Sequence, residues 1–123
     1  MHELSVGQAI VDTVERRAEG RDVRRVTVRI GHLRQVVPDA LQFAWEMLTD
    51  GSELAGCRLV IEHVPAVVAC RQCAARTTLD IPVLACATCT SFDVELVTGE
   101  EFLIASIDVG VAHPTTPPTT LVG

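Results

Sequence analysis

Four of the five cysteines fall into two short turns. Cys70 and Cys73 form one C-x2-C pair, Cys86 and Cys89 form another, and twelve residues separate the pairs. Each such turn presents two sulfurs on one side of the chain, and a hairpin between them brings the second pair opposite the first. Four thiolates then stand at the corners of a tetrahedron, the arrangement that zinc favours and that needs no redox partner. An iron–sulfur cluster is the competing metal reading, because four thiolates also hold that group. Two disulfides would require an oxidising compartment, and the sequence opens without the basic and apolar regions of a secretion signal. A thioredoxin-type redox pair would need its C-x-x-C at a helix start in a βαβ setting, which the pattern lacks. Four thiolates leave no open position for a substrate, so the metal is expected to be structural and to supply much of the folding energy of residues 65–98.

A second chelating unit stands at the other end of the chain. The sequence begins MHELS, and a free terminal amine beside the imidazole of His2 is a short metal-binding group. Other candidates carry less chemistry. Cys57 precedes a strand with no partner at ligand spacing, as a small buried hydrophobe does. His32 follows Gly31 and reads as a turn residue, His63 as a strand residue and His113 as a tail residue. No Ser/His/Asp set, P-loop or paired-carboxylate arrangement stands out, so the sequence makes no case for an enzyme.

Charge narrows the partners. The formal net charge is −6, which disfavours nucleic acid, whose phosphates demand clustered positive charge. Seven of the ten basic residues do cluster, as Arg16, Arg17, Arg21, Arg24, Arg25, Arg29 and Arg34. They are interleaved with Glu15, Glu19 and Asp22 and have no aromatics for base stacking, which favours a solvated charged face over a docking patch. No apolar run approaches the roughly 18 residues of a membrane span. A cytoplasmic protein with no membrane association is the simplest expectation.

The elements that must position these groups follow from periodicity. Residues 5–19 read as a helix in which Ser5 and Gln8 have capping-box spacing and Leu4 staples onto Ala9. Leu4, Val11, Val14 and Ala18 would share one side with Ile10 beside them, and Gly20 would stop the helix. Residues 23–31 alternate as a half-buried strand. A second helix is expected over 38–50, with Pro38 in its first turn, Gly51 beyond its end and Trp45 as a core anchor. Strands are expected at 58–64 and 101–109. They can pair only if the ends of the intervening insert lie close together.

The class is therefore α+β: a small sheet with two helices, interrupted by a four-cysteine zinc-ribbon-like module. The expected domains are 1–64 plus 99–109 for the α+β part and 65–98 for the module, which shows no core of its own. Residues 110–123 read as a disordered Pro/Thr-rich tail.

The leading M-H-E, the S-x-x-Q helix, the V-x-V-x-I-G strand and C-x2-C-x12-C-x2-C together resemble the HypA family, the nickel metallochaperones of nickel–iron hydrogenase maturation. The resemblance runs from Met1 to about Val109. It implies nickel(II), as transient cargo, bound at the N-terminus through Met1, His2 and Glu3, and structural zinc on Cys70, Cys73, Cys86 and Cys89. It also implies partnership with a HypB-type GTPase and the hydrogenase large-subunit precursor, and in some organisms with urease maturation proteins. Nickel(II) favours square-planar nitrogen coordination. The Met1 amine, the His2 amide and the His2 imidazole can close two adjacent chelate rings, with the Glu3 amide as a fourth donor. The alternative is a zinc-ribbon adaptor that binds only zinc and for which the M-H-E start is incidental.

Overall fold

The computed structural model describes residues 2–110. The tail expectation from residue 111 onward, and with it His113, lies outside the described residues, as does Met1. In chain order the elements are α1 (His2–Ala18), β1 (Val23–Gly31), a 3-10 turn (His32–Arg34), α2 (Pro38–Thr49), β2 (Arg58–Val64), β3 (Ala66–Cys70), β4 (Arg76–Leu79), β5 (Val94–Thr98) and β6 (Phe102–Val109). They form two three-stranded sheets, of order β2-β1-β6 and β4-β3-β5. The expected strands at 58–64 and 101–109 therefore do not neighbour each other, because β1 lies between them. Two helices with small sheets make the chain α+β, as expected.

Two compact units divide the chain. Among the described residues one comprises 2–28, 36–61 and 104–110, and the other 29–35 and 62–103. The first holds the helices. Gly7 is buried on α1, and a Cβ there would stand 3.0 Å from Leu48 Cδ1 and 3.7 Å from Ala44 Cβ on α2. A methyl at this position would require the Leu48 side chain to give by a few tenths of an ångström. Trp45 is 2% exposed and donates its indole N–H to the Cys57 carbonyl at 2.9 Å, while Gln42 Nε2 donates to the Leu59 carbonyl at 2.7 Å. Trp45 is the expected anchor, and its polar edge is satisfied as burial requires. Cys57 is buried beside it. The thiol is pushed up to about 11, first by that burial and then by the charge of Asp22, so it behaves as the small hydrophobe the sequence suggests.

The start of α1 differs from expectation. The helix begins at His2, not at Ser5. Ser5 Oγ donates back to the His2 carbonyl at 2.8 Å, a bond made inside a helix by a short hydroxyl side chain. Gln8 turns forward to Asp12 at 2.8 Å, so no capping box forms. Leu4 is 50% exposed and staples nothing, because a staple residue must precede the helix. The buried stripe instead comprises Glu3, Gly7, Ile10, Val11, Val14 and Ala18. At the other end Glu19 and Gly20 take left-handed φ values of 51° and 82°, and the helix stops as expected.

The second unit has a small core, contrary to expectation. Ala66 and Val68 of β3 and Leu79 of β4 are buried together, with Leu33, Val94 and Leu96 packed against them. The sequence concealed it because its apolar positions come from three short strands and the 3-10 turn, none long enough to show a period. Two glycines allow the chain to close here. A Cβ on Gly31 would run into the Gly99 carbonyl group, and in place of that clash the Leu33 N–H donates to the Gly99 carbonyl at 2.9 Å. Gly99 itself has φ +125°, and a Cβ on it would lie 2.6 Å from Ala66 Cα.

Candidate metal centre

Strand β3 ends on Cys70, and β4 and β5 both pair with it antiparallel. The chain leaves β3 through the first cysteine turn and enters β5 after the second, so both turns lie at one end of the same sheet. The turns are built alike. Each first cysteine donates its N–H five residues ahead, Cys70 to Ala75 at 2.8 Å and Cys86 to Ser91 at 2.9 Å. Each accepts at its carbonyl from the residue four ahead, Ala74 and Thr90, both at 3.0 Å. Those two residues have φ of 64° and 63°. The left-handed step folds each turn back and aims backbone N–H groups at the first sulfur. Cys70 Sγ accepts from Gln72 N at 3.3 Å and Cys73 N at 3.4 Å. Cys86 Sγ accepts from Thr88 N at 3.4 Å and Cys89 N at 3.5 Å.

The four Sγ atoms lie within 4.8 Å of one another. Cys70 Sγ is 3.5 Å from Cys89 Sγ, and Cys73 Sγ is 3.6 Å from Cys86 Sγ. A tetrahedral ion with metal–sulfur bonds of about 2.3 Å requires sulfur–sulfur edges of roughly 3.8 Å. The cluster therefore fits a metal ion such as zinc. Its electrostatics agree. The N–H groups of Cys89 and then Thr88 bring the Cys86 thiol down to about 6, and those of Cys73 and then Gln72 lower Cys70. Cys89 receives a hydrogen bond from the Ser91 backbone, yet the neighbouring Cys70 sulfur pushes it up to about 12. In each turn the first thiol is thus lowered and the second raised, so the first is the readier of the two to give up its proton.

Ties between the two turns are not among the sequence expectations. Asp93 accepts from Arg71 Nη1 at 3.1 Å and Gln72 Nε2 at 2.9 Å, the two residues enclosed by the first C-x2-C. Arg71 N also donates to the Asp93 carbonyl at 3.0 Å. Conversely, Ala87 N inside the second C-x2-C donates to Thr77 Oγ1 at 3.0 Å. Thr77 and Asp93 each stand seven residues after the first cysteine of their own turn. That shared offset was the available signal.

The N-terminal residues take positions at the start of α1. Glu3 is buried in the first unit, where its carboxylate accepts from the Val37 N–H at 3.0 Å. The same oxygen, Oε2, lies 3.3 Å from His2 Nε2. The His2 side chain is about half exposed. His32 and His63 belong to the second unit. Among the clustered arginines, Arg25 pairs with Asp108 at 2.6 Å and Arg29 with Glu62 at 3.0 Å, while Arg21 bonds the Ala18 and Arg17 carbonyls at the end of α1. No helix among the described residues is long and apolar enough to cross a membrane.

The fold and this centre define a small α+β metal-binding protein with a four-cysteine ribbon. A family model described as hydrogenase/urease nickel incorporation, metallochaperone, HypA matches residues 1–109. The hydrogenase maturation factor HypA of Trichormus variabilis is 41% identical over 109 residues, covering 89% of this chain and 96% of that protein. Its counterpart from Geotalea uraniireducens is 39% identical over 109 residues, covering 89% and 99%. The solution structure of the Ni metallochaperone HypA from Helicobacter pylori shares the fold, with a TM-score of 0.61 at 23% identity over 89% of this chain and 97% of that one. The chain belongs to the HypA family of hydrogenase/urease nickel-incorporation metallochaperones. It is thus a maturation factor and not an enzyme.

Proposed function

We propose that the chain binds nickel(II) as cargo through Met1, His2 and Glu3 and delivers it during maturation of nickel–iron hydrogenase, with zinc held by Cys70, Cys73, Cys86 and Cys89. The observation that carries the nickel reading is the Glu3 carboxylate 3.3 Å from His2 Nε2. A carboxylate on one ring nitrogen orients a histidine so that it ligates through the other, and Nδ1 is the nitrogen that closes a chelate ring with the residue's own amide. Burial and the Val37 N–H hold that carboxylate in place. The start of the helix at His2 supports the same reading, since amides in a first turn have no carbonyl four residues back to bind. In this reading Glu3 contributes its amide to the metal and its side chain to orienting His2.

Zinc in the cysteine centre, when bound, supplies cohesion between the two turns. The partners in this reading are a HypB-type GTPase, the hydrogenase large-subunit precursor and urease maturation proteins, all in the cytoplasm. The alternative, an adaptor that binds only zinc, lacks any use for the His2–Glu3 arrangement.

Nickel titration of untagged, zinc-loaded protein tests the reading against His2→Ala and a variant with one glycine added before Met1. The parent should take up one tight nickel equivalent and release protons as amine, amide and imidazole ligate. His2→Ala should lose that equivalent, and the glycine extension should change its spectrum. An unchanged spectrum and affinity in the extended protein would remove the Met1 amine from the ligand set.

A further inference from the structure

Outside the cysteine centre and the N-terminus, the second unit brings two more metal-ligating side chains together. His32 opens the 3-10 turn directly after β1, and His63 lies near the end of β2. Their ring centroids are 5.3 Å apart, with planes inclined at 87°. His32 Nε2 lies 3.1 Å from the Asp80 carbonyl oxygen. A carbonyl oxygen can only accept, so this contact places the proton on Nε2 and leaves the lone pair on Nδ1. Binding the far nitrogen to a backbone carbonyl is also how proteins aim a ligating imidazole. The spacing fits as well. Two imidazoles on one ion, with metal–nitrogen bonds of about 2.1 Å and a tetrahedral angle, have ring centroids roughly 5 Å apart.

We propose that His32 and His63 form a second, two-imidazole site for a borderline divalent transition metal, with nickel(II) the ion it would meet in this protein. His63 is exposed and His32 half-buried, so an ion can enter from solvent on the His63 side. The arginines that flank His32 in the sequence, Arg29 and Arg34, have partners. Arg29 pairs with Glu62, and Arg34 donates to the Glu100 carbonyl at 2.8 Å and stacks over Phe102. Each of these guanidinium groups is thus held by a partner of its own. Among the described residues the four cysteines are the only group that offers three or more such ligands together. The histidine site thus supplies two ligands, and water or the ion's own companions fill the rest. Two ligands hold an ion briefly, which suits a point of passage better than storage. The site does not depend on the N-terminal reading.

The test uses full-length, untagged, zinc-loaded His2→Ala protein and nickel(II) chloride alone. A nickel ion ligated by imidazole and water is paramagnetic. Side-chain NMR should show the His32 and His63 imidazole signals broadening together in a saturable titration, weaker than the tight equivalent of the parent. His63→Gln, a change at an exposed strand position, should abolish the broadening of His32, and His32→Asn should abolish that of His63. Absence of broadening at both rings, or the same saturable broadening of His32 in the His63→Gln protein, would overturn the proposal. Failure of the N-terminal reading would show separately, as a parent with no tight equivalent.

Discussion

Arg71 and Asp93 form an ion pair of 3.1 Å that binds the inside of the first cysteine turn to the start of the strand leaving the second. Hydrogen bonds from Gln72 and then Arg71 keep the Asp93 carboxyl below its ordinary range, so the tie persists at any pH at which the thiols bind metal. The pair is about half exposed, and its worth to global stability is correspondingly small. Its worth to the metal is different, because it holds one pair of sulfurs facing the other.

Asp93→Ala should therefore weaken metal retention by about 10–100-fold, the range for outer-shell partners, with little change in the far-ultraviolet spectrum. Asp93→Asn retains the acceptor for Arg71 but can place its NH2 against that of Gln72, and should fall between. Competition with a chromophoric chelator measures both. Retention within about twofold of the parent in Asp93→Ala would show that the turns are held by the metal alone.

Cys73→Ser should release the metal, since three thiolates and a hydroxyl make a much poorer site. The buried group of Ala66, Val68 and Leu79 limits the damage. Without it the whole insert would unravel. With it, the middle of β3 should stay protected while the two turns loosen. Metal analysis should give less than full occupancy, and hydrogen exchange should accelerate at Gln72, Cys73, Thr88 and Cys89 far more than at Val68. Equal acceleration throughout residues 65–98 would mean that the apolar group contributes nothing without metal.

Gly99→Ala should be among the costliest single-methyl additions in the chain. At φ +125° a side chain is strained, and the new Cβ would stand 2.6 Å from the Ala66 backbone. Strain and overpacking together should cost about 2–5 kcal/mol. Gly20→Ala separates the two effects, since Gly20 has φ +82° and nothing within 4 Å of an added methyl. It should cost only the left-handed penalty of about 1–2 kcal/mol. Urea unfolding of both variants, metal-loaded, gives the comparison. Equal losses would mean that Ala66 yields easily.

What the sequence made legible was chemistry with a fixed spacing and elements with a sustained period. The cysteine quartet, β1, α2 and the Trp45 anchor all belong here. What it hid depended on long-range partners. Ser5 and Gln8 matched a capping pattern, but the helix extends to His2, where the carboxylate of Glu3 meets the Val37 N–H, thirty-four residues away. The small core of the second unit draws on Leu33, Val68, Leu79 and Leu96, each from a different short segment. Gly31 and Gly99 could be read as loop residues, whereas their backbone contact is a property of the closed chain.

Cys57 lies outside the four-cysteine group. Burial, and then the charge of Asp22, raise its thiol from 9.0 to about 11. The folded state therefore holds a neutral thiol where the unfolded chain would already be ionised. With a folded value above the unfolded one, the stabilisation from Cys57 is complete below about 9, shrinks as pH rises from there and is gone above about 11. Cys57→Ala removes the titrating group and leaves a small void, costing about 1 kcal/mol at neutral pH. A rise of that size amounts to roughly 2–3 kcal/mol, more than the gap at neutral pH, so the gap between parent and variant should shrink above pH 9 and reverse before pH 11. Urea midpoints for the two proteins at pH 7, 9 and 10.5 measure it, with zinc bound so that the other four thiols stay ligated. The same burial predicts that, in the zinc-loaded protein at pH 8, a thiol reagent modifies Cys57 only as fast as the first unit opens. A gap that stays constant with pH, or rapid modification of the native protein, would show that Cys57 ionises like an exposed thiol.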